Sequence, residues 1–258
     1  MTKHTITNLL FAIALLSLVL LGTHYRIHFG WYVILLLLYF VVIALGSYFI
    51  QLQFFIASYC NGSSDKKQIA VTFDDGPQAR RTSEILDILK TERVPATFFC
   101  IGRNIATQEN ILKRIDSEGH LIGTHSFHHH WSFPLQGKAK IAKEMTQSQK
   151  LVFDIIDKKP LLFRPPFGVT DPPLAAAITI TGVSSVGWSI RSYDTVISSA
   201  EQLLKRVSKI KNGDIVLFHD AGLQTNVILP AFIEYVRSQG FEIVPLTQLL
   251  GINAYEDQ

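Results

Sequence analysis

Hydrophobic residues dominate the start of the chain in two long runs. The first covers residues 6–22 without a charge, and the second covers 31–56, interrupted only by Ser47, Gln51 and Gln53. A helix that spans a membrane needs about 20 mostly apolar residues, which the second run easily meets and the first just reaches. The polar stretch 23–30 between them predicts a tight hairpin of two transmembrane helices, with both ends on one side of the membrane.

The first run also has an alternative interpretation as a signal peptide. Its positively charged region is weak, and no small-x-small cleavage pattern follows it. We therefore favour the hairpin and assign residues 1–60 to a membrane anchor with two transmembrane helices. Tyr25, Trp31 and Tyr32 fit the aromatic residues that collect at membrane interfaces.

From residue 68 the pattern changes to short apolar runs that alternate with amphipathic stretches. The predicted strands are 68–73, 96–100, 121–123, 161–163, 183–188, 215–218 and 241–244. The predicted helices are 82–92, 110–118, 138–156, one opened by Pro172 and Pro173 after the cap Asp171, 200–210 and 227–239. This alternation is typical of βαβ units around a parallel sheet, and about seven repeats favour a barrel. Residues 61–67 are then a linker, 68–250 one α/β domain, and 251–258 a C-terminal tail.

Composition and charge limit the class of protein. The chain has 258 residues, 48% of them hydrophobic, which fits the sum of a membrane segment and an ordinary soluble domain. The net charge is +3 and no basic stripe with interleaved aromatic residues occurs, so no nucleic-acid partner is indicated, and no protein partner either. Cys100 ends an apolar run and is expected in the core, whereas a disulfide with Cys60 stays open, because the sequence gives no geometry.

Titratable residues follow the predicted strands. In parallel α/β barrels the active site gathers at the carboxyl ends of the strands. The residues in this position are Asp74, Asp75, His125, His129, Arg164, Asp194 and His219. This bias predicts one functional site at that end of the sheet.

The histidines around residue 125 indicate a metal site. His125 pairs with His129 at the i, i+4 spacing or with His128 at i, i+3, and on one helical turn either pair faces the same way. Asp75 supplies a third ligand, and two histidines with one carboxylate leave the open position of a catalytic zinc site. A solvated polar loop and an Asp-Gly-Pro turn are the plainer interpretations of the same residues.

The remaining residues fit the other parts of a hydrolytic site. Asp74 is free to act as a base, and Arg164 can hold a carboxylate such as Asp74. If His219 faces the metal it can act as a general acid, which Asp194 would orient and keep protonated; otherwise it is a half-buried histidine. Metal, base and acid together predict metal-assisted hydrolysis of an amide or ester, without naming the substrate.

Four short motifs, in this order, resemble the polysaccharide deacetylase family, the NodB-homology domain of carbohydrate esterase family 4. They are Thr72-Phe73-Asp74-Asp75-Gly76-Pro77, His125-Ser126-x-x-His129, Arg164-Pro165-Pro166-Phe167-Gly168 and Leu217-Phe218-His219. The resemblance covers residues 66–250, leaves the N-terminal hairpin outside, and selects His129 over His128. It implies an irregular (β/α) barrel with seven strands.

The resemblance also implies a role for each matching residue. Asp74 is then the general base and His219 the general acid. The implied ligands of one divalent metal ion, usually zinc, are Asp75, His125 and His129. The backbone N–H of Phe167 is implied to help stabilise the oxyanion, which fits the need for a preorganised donor there.

One further motif departs from the family pattern. Family members often have Asp-x-x-Asp-Trp, where this chain has Arg191-Ser192-Tyr193-Asp194-Thr195. Asp194 is retained as the expected partner of His219, whereas Arg191 replaces the first acid and the Trp of one groove wall is absent. His130 also stands where Pro is frequent. These changes concern the rim of the groove, and therefore the identity of the substrate.

The sequence thus predicts a metal-dependent hydrolase that removes N-acetyl groups from N-acetylglucosamine-type residues of a cell-envelope polysaccharide such as peptidoglycan. The alternatives are a deacetylase or deformylase of a lipid-linked sugar at the membrane and an O-acetyl ester hydrolase. A glycan-binding anchor without activity is disfavoured, because binding alone needs no general base. We expect a multi-pass protein of the cell membrane, in contact with the lipid bilayer, with its catalytic domain in the periplasm or outside the cell, where the glycan lies.

Overall fold

The computed structural model describes residues 1–63 and 65–256. Ser64, Asp257 and Gln258 lie outside the described residues, so the expected linker and C-terminal tail are described in part. The helices are α1 (Lys3–His24), α2 (Gly30–Tyr48), α3 (Arg81–Glu92), α4 (Gly102–Ile105), α5 (Glu109–Ser117), α6 (Lys138–Ile156), α7 (Pro172–Thr181), α8 (Ala200–Val207), α9 (Thr225–Ser238) and α10 (Leu246–Leu250). The strands are β1 (Gln68–Asp74), β2 (Thr97–Cys100), β3 (Leu121–Thr124), β4 (Leu162–Phe163), β5 (Ser184–Ser185), β6 (Ile190–Arg191), β7 (Ile215–His219) and β8 (Glu242–Ile243).

All of these strands join one parallel sheet. Its order is β5-β4-β3-β2-β1-β7-β6, and β8 pairs with the start of β1. The central strand β1 places Asp74 opposite Phe99 of β2 and His219 of β7. In the described part of the chain β5 and β6, at the two ends of this order, do not pair with each other. The expected α/β fold is therefore confirmed as an open half-barrel, the irregular form of the barrel.

The predicted run 183–188 differs most from the structure. It contains only the short strand β5, and the chain then begins β6, which the hydrophobic pattern did not reveal. Trp188, between the two strands, is buried with its indole ring against Gly168, so the chain turns there instead of extending. The expected cap of α7 is confirmed, because the carboxylate of Asp171 accepts a hydrogen bond from the Leu174 N–H at 2.7 Å.

The core lies on both faces of the sheet, because alternate residues of a strand point to opposite sides. On the helix-covered face, the rings of Phe73, Phe98 and Phe218 stack and pack against α3, α5 and α9. The inner face carries a smaller cluster around Phe99 and Ile215, which α10 closes at one end. Cys60 and Cys100 are both buried and both free, so no disulfide forms.

The helices α1 and α2 pack side by side at the N-terminus. Both are long and apolar enough to cross a membrane, and no residue of α1 is buried. Two tyrosines hold the pair together: Tyr32 donates to the Leu18 carbonyl at 3.1 Å, and Tyr39 donates to the Asn8 side chain at 3.0 Å. A helix that is apolar on all sides requires an apolar environment, which the rest of the described chain does not supply.

The helix α2 is shorter than the apolar run that predicts it. It ends at Tyr48, and a 3₁₀ turn over Ile50–Leu52 then leads Phe54, Phe55 and Ile56 into the core beside α6 and α7. Gly46 permits this turn, because a Cβ atom there would overlap the ring of Phe54. The last apolar residues of the run therefore belong to the globular unit rather than to a spanning helix.

Both ends of the α/β unit are attached to it by backbone pairing. Before the first strand, Tyr59 pairs with Val186, and Asn61, the first residue of the expected linker, pairs with Asp214. Near the C-terminus, Tyr255 pairs with Pro160, and its hydroxyl accepts a hydrogen bond from a backbone N–H of β3 at 3.0 Å. The described part of the expected tail is thus packed against the sheet.

Candidate active site

The predicted site residues meet at the carboxyl end of the sheet. Asp74 and His219 end the neighbouring strands β1 and β7, and the loops that follow β3 and β4 reach the same place. A cavity of about 180 Å³ opens there. The predicted residues that line it are Asp74, Asp75, His125, His129, Phe167 and His219. Arg164 and Asp194 lie behind this wall and are fully buried.

Asp75, His125 and His129 form a group that we call the ligand cluster. The Asp75 Oδ1 atom lies 3.7 Å from His125 Nε2 and 3.6 Å from His129 Nε2. This oxygen is buried and accepts no hydrogen bond, an arrangement that costs free energy unless a cation is bound. The three ligand atoms lie within 4.8 Å of one another, so one carboxylate and two imidazoles can hold a single metal ion.

Hydrogen bonds orient the two histidines of the ligand cluster. His125 Nδ1 donates to the Arg164 carbonyl at 2.7 Å, which leaves the Nε2 lone pair directed toward Asp75. The backbone N–H of His129 donates to the Ser126 hydroxyl at 2.9 Å. Burial, reinforced by the neighbouring His129, lowers the pKa of His125 to about 3. The imidazole of His125 is therefore neutral, the form in which histidine binds metals.

The expectation that two histidines share a helical turn is wrong. The ligand histidines lie in the loop after β3, where Ser126 (φ 60°) and His129 (φ 49°) adopt left-handed conformations. These two residues reverse the chain, so the rings of His125 and His129 come to 4.7 Å between centroids without a helix. His128, the alternative partner, turns away to Glu144 at 2.7 Å.

Asp74 is held by a buried arginine. The guanidinium of Arg164 donates to Asp74 Oδ1 at 2.7 Å and to the Thr72 hydroxyl at 2.8 Å, and its other N–H groups donate to the carbonyls of Val186 and Gly187. Burial raises the pKa of Asp74, although the charge of Arg164 opposes this shift. The second carboxylate oxygen, Oδ2, lies 3.9 Å from His125 Nε2 at the wall of the cavity.

His219 ends β7, the strand next to β1, lines the same cavity as the ligand cluster, and is paired with Asp194. Its Nδ1 lies 2.7 Å from Asp194 Oδ1, and its backbone N–H donates to Asp194 Oδ2 at 2.7 Å. The hydroxyls of Ser192 and Thr225 also donate to this carboxylate. Burial lowers the pKa of His219, but the hydrogen bond and charge of Asp194 outweigh burial, so the pKa lies above its usual value.

The outer wall of the cavity contains two of the residues that depart from the family pattern, Arg191 and Thr195. Phe167 adopts a left-handed conformation (φ 61°), and its ring lies 4.7 Å from the ring of His129. Trp188, Arg191 and Thr195 complete the wall. Arg191 and Thr195 thus lie where a substrate would contact the cavity, in agreement with the expectation that these changes concern the rim of the groove.

Two buried acids next to the site escaped the sequence analysis. Glu144 of α6 accepts hydrogen bonds from the backbone N–H groups of Phe127 and His128 at 3.0 and 2.8 Å, within the loop that carries the ligand histidines. Asp220 accepts a hydrogen bond from the Thr82 hydroxyl, and burial raises its pKa to about 7. Asp220 follows a predicted strand and could have been found by that rule, whereas nothing local distinguishes Glu144 within its helix.

A parallel half-barrel with these residues at its carboxyl end defines an α/β protein of the NodB type. The profile of the family described as polysaccharide deacetylase matches residues 61–186. The chain is 34% identical over 186 residues to the peptidoglycan-N-acetylglucosamine deacetylase PgdA of Listeria monocytogenes. That alignment covers 72% of this chain and 39% of the relative, so the chain spans about two fifths of its length.

Two further comparisons cover most of the related protein. A peptidoglycan-N-acetylglucosamine deacetylase of Bacillus cereus is 33% identical over 193 residues, which are 72% of this chain and 90% of the relative. The crystal structure of the Bc1960 peptidoglycan N-acetylglucosamine deacetylase superposes with a TM-score of 0.72 at 27% identity, covering 78% of this chain and 95% of that one. The chain belongs to the polysaccharide deacetylase family.

Proposed function

We propose that this protein is a metal-dependent hydrolase that removes N-acetyl groups from N-acetylglucosamine-type residues of a cell-envelope polysaccharide such as peptidoglycan. One observation carries the proposal: Asp74 and His219 flank the ligand cluster in a single cavity. The names of the relatives from Listeria monocytogenes and Bacillus cereus, both peptidoglycan-N-acetylglucosamine deacetylases, support the choice of substrate.

The ligand cluster would hold one divalent ion, and its donor set of two imidazoles and one carboxylate favours zinc. A zinc ion bound there supplies Lewis acidity, which polarises an amide carbonyl and lowers the pKa of water. The unpartnered Asp75 Oδ1 supports this assignment, because a bound cation would satisfy it. The Nδ1 hydrogen bond of His125 keeps that ring in the orientation and tautomer that a metal ligand needs.

Asp74 is proposed as the general base. Its Oδ2 atom reaches the cavity wall while Arg164 restrains Oδ1, so the carboxylate has one fixed and one available oxygen. A base works best when its pKa approaches the working pH, and burial shifts the pKa of Asp74 in that direction. The charge and hydrogen bond of Arg164 oppose part of this rise in pKa and so favour the ionised, basic form of the carboxylate.

His219 is proposed as the general acid that protonates the leaving amine. Asp194 holds the imidazole by Nδ1 and raises its pKa, so that Nε2 carries a proton toward the cavity. The backbone N–H of Phe167 would donate to the oxygen that becomes negative during attack on the carbonyl. The left-handed conformation of Phe167 supports this role, since it sets the peptide direction next to His129.

The test is acetate release by the full chain in detergent from chitin oligomers and from peptidoglycan. We expect release that stops after chelation, returns with zinc, and falls by about 10³-fold in Asp74→Asn. The same folded, metal-loaded chain releasing no acetate from either glycan would contradict the proposal. Acetate release that persists unchanged in Asp74→Asn would contradict only the role of Asp74 as the general base.

We also propose that α1 and α2 anchor the chain in the cell membrane, with the catalytic domain in the periplasm or outside the cell. The length and apolar surface of the two helices support the anchor. An alkaline phosphatase fused to the C-terminus, which is active only after export, should be active. An inactive phosphatase fusion, together with an active cytoplasmic reporter at the same position, would show that the orientation is the opposite of the proposed one.

A second candidate substrate is a lipid-linked sugar, and one observation favours it. The chain at the end of α2 and just after it contacts the surroundings of the cavity. The Ser47 hydroxyl of α2 donates to the Thr170 carbonyl at 2.7 Å, and the amide of Gln51, in the turn after α2, donates to the carbonyl of the lining residue Trp188 at 3.1 Å. If α2 lies in the bilayer, these contacts hold the site near the membrane surface. Acetate or formate release from a lipid-linked sugar, and not from either glycan, would select this candidate.

A further inference from the structure

A second cavity adjoins the candidate active site. It has a volume of about 410 Å³ and lies between β6 and α8. Four of its lining residues are cations: Arg191, Lys205, Arg206 and Lys209. We call this cavity the cationic pocket. Arg191 lines both this pocket and the catalytic cavity, so the two are neighbours along one wall.

The charges of the cationic pocket are not neutralised within the described residues. None of its four cations forms an ion pair there, and Glu201, one helical turn from Lys205 on α8, is exposed without reaching it. The Nε atom of Arg191 is buried and has no hydrogen-bond partner. A concave surface with uncompensated positive charge attracts an anion, and a buried N–H without an acceptor gains most from one.

Aromatic rings hold the two arginines in place. The guanidinium of Arg191 lies 5.5 Å from the centre of the Trp188 ring and 5.0 Å from that of Tyr193. The guanidinium of Arg206 lies 4.3 Å from the same tyrosine ring, and its Nε donates to the Arg191 carbonyl at 2.7 Å. Stacked guanidiniums lose little conformational freedom on binding, so these arginines are preorganised for a ligand.

We propose that the cationic pocket is a subsite for a phosphate or diphosphate group carried by the sugar that is deacylated. The inference rests on the proposed function, and between its two candidate substrates it favours a phosphorylated sugar, such as the lipid-linked one, over the polysaccharide. Planar guanidiniums match the geometry of phosphate oxygens, and the two lysines add point charges, so the set suits a group with more than one negative charge. The contacts of Ser47 and Gln51, at and just after the end of α2, with the chain around the catalytic cavity favour a phosphate attached to a membrane lipid.

The first test measures binding of inorganic pyrophosphate to the full chain in an uncharged detergent by calorimetry. The double variant Lys205→Gln/Lys209→Gln is compared with Lys140→Gln/Lys143→Gln, which removes two exposed lysines from α6, away from the pocket. We expect the first pair to raise the Kd of pyrophosphate by at least about tenfold and the second to leave it near the wild-type value. Both double variants keep the ligand cluster, so pyrophosphate binding to a metal there is common to both.

The second test compares substrates. The wild-type chain is given chitin oligomers, N-acetylglucosamine 1-phosphate, a polyprenyl diphosphate-linked N-acetylglucosamine and peptidoglycan fragments with free peptide carboxylates. We expect the highest kcat/KM for a phosphorylated sugar, and we expect Lys205→Gln/Lys209→Gln to reduce that preference by at least about tenfold. A preference for the polyprenyl compound over the soluble phosphate identifies the lipid as its source.

The outcomes separate this inference from the proposed function. Equal pyrophosphate binding in the two double variants, or none in any chain, overturns the subsite. A preference for the fragments with carboxylates overturns the choice of phosphate and assigns the pocket to peptide. Selective pyrophosphate binding without acyl release from any substrate leaves the subsite standing and overturns the proposed function.

Discussion

The two neighbouring carboxylates Asp74 and Asp75 occupy opposite environments. Asp74 is buried, and Arg164 and the sheet supply hydrogen bonds that restrain it before any substrate arrives. Asp75 adopts a left-handed conformation (φ 71°), and its Oδ1 atom is buried without any partner. A change of backbone direction at one residue thus separates a carboxylate that an arginine already holds by one oxygen from a carboxylate that is ready to receive a cation.

The histidines repeat this contrast. His125 donates Nδ1 to a neutral carbonyl, and burial with its neighbour His129 lowers its pKa, so it is a neutral ligand. His219 pairs Nδ1 with the carboxylate of Asp194, which raises the pKa of His219 despite burial and so favours its protonated form. The hydrogen-bond partner of the Nδ1 atom therefore distinguishes an imidazole suited to metal binding from one suited to acid catalysis.

The largest expected effect comes from replacing the carboxylate of Asp75 or of Asp74 by an amide, one residue at a time. Asp75→Asn should weaken zinc binding by more than the roughly 10–100-fold typical of losing an outer partner of a metal site, because a direct ligand is lost. Asp74→Asn should keep zinc and lose activity instead. Metal content and zinc titration of the two purified variants measure this difference. Equal zinc affinity in both variants would remove the distinction between the two aspartates.

A smaller effect is expected at Asp194, and it depends on pH. Because Asp194 raises the pKa of His219, the protonated acid persists above the ordinary histidine pKa, and wild-type activity should extend to correspondingly high pH. In Asp194→Asn burial, the largest influence, lowers the pKa of His219 and is opposed only by the charges of Asp74 and Asp75, so the alkaline limb of kcat should move to lower pH. At neutral pH kcat should fall by about 10²-fold.

The pH profile distinguishes this role from a purely structural one. Ser192→Ala removes the hydroxyl that donates to the Asp194 carboxylate and accepts from its backbone N–H, but it keeps the negative charge that raises the pKa of His219, so the alkaline limb should stay near its wild-type position. If Asp194→Asn lowers kcat equally at every pH, Asp194 supports the fold and does not set the protonation of His219.

The smallest expected effect concerns Glu144, which supports the ligand loop without lining the cavity. Glu144→Gln keeps the size of the side chain but weakens its bonds to the backbone of Phe127 and His128. We expect zinc affinity to fall by about tenfold, with zinc-saturated kcat nearly unchanged. Glu234→Gln, an exposed glutamate of α9, is the matched control. A loss of kcat that saturating zinc does not restore would contradict this supporting role.

Part of the site could be predicted from the sequence, by taking the polar residues that follow the predicted strands. Asp74, Arg164 and His219 all lie at or just after the carboxyl ends of strands, where a parallel sheet must bring them together. The histidine pair could be recognised by type and spacing but not by conformation, because the loop reverses through two left-handed residues that carry no glycine signal. Glu144 could not be found at all, since it reaches the site from the middle of a helix distant in sequence.

The boundary between the apolar hairpin and the globular unit shows the same limit of prediction from sequence. Hydropathy marks residues 31–56 as one apolar run, but a membrane and a protein core are equally apolar environments. Only the packing of Phe54 against Gly46 separates the helix from the residues that enter the core. Similarly, Arg191 is one cation in the sequence and becomes part of a pocket only when Lys205 and Arg206 of α8 and Lys209 just after it are brought beside it.

The sequence by itself determined the alternating α/β pattern, the apolar hairpin and the residue types of the site, because these depend on local periodicity and on motifs. The tertiary structure decided which oxygen of Asp75 stays unpartnered, which histidine is neutral, and where positive charge accumulates beside the cavity. The physical reason is that burial, hydrogen-bond partners and pKa depend on atoms from distant parts of the chain, whose positions no local pattern specifies.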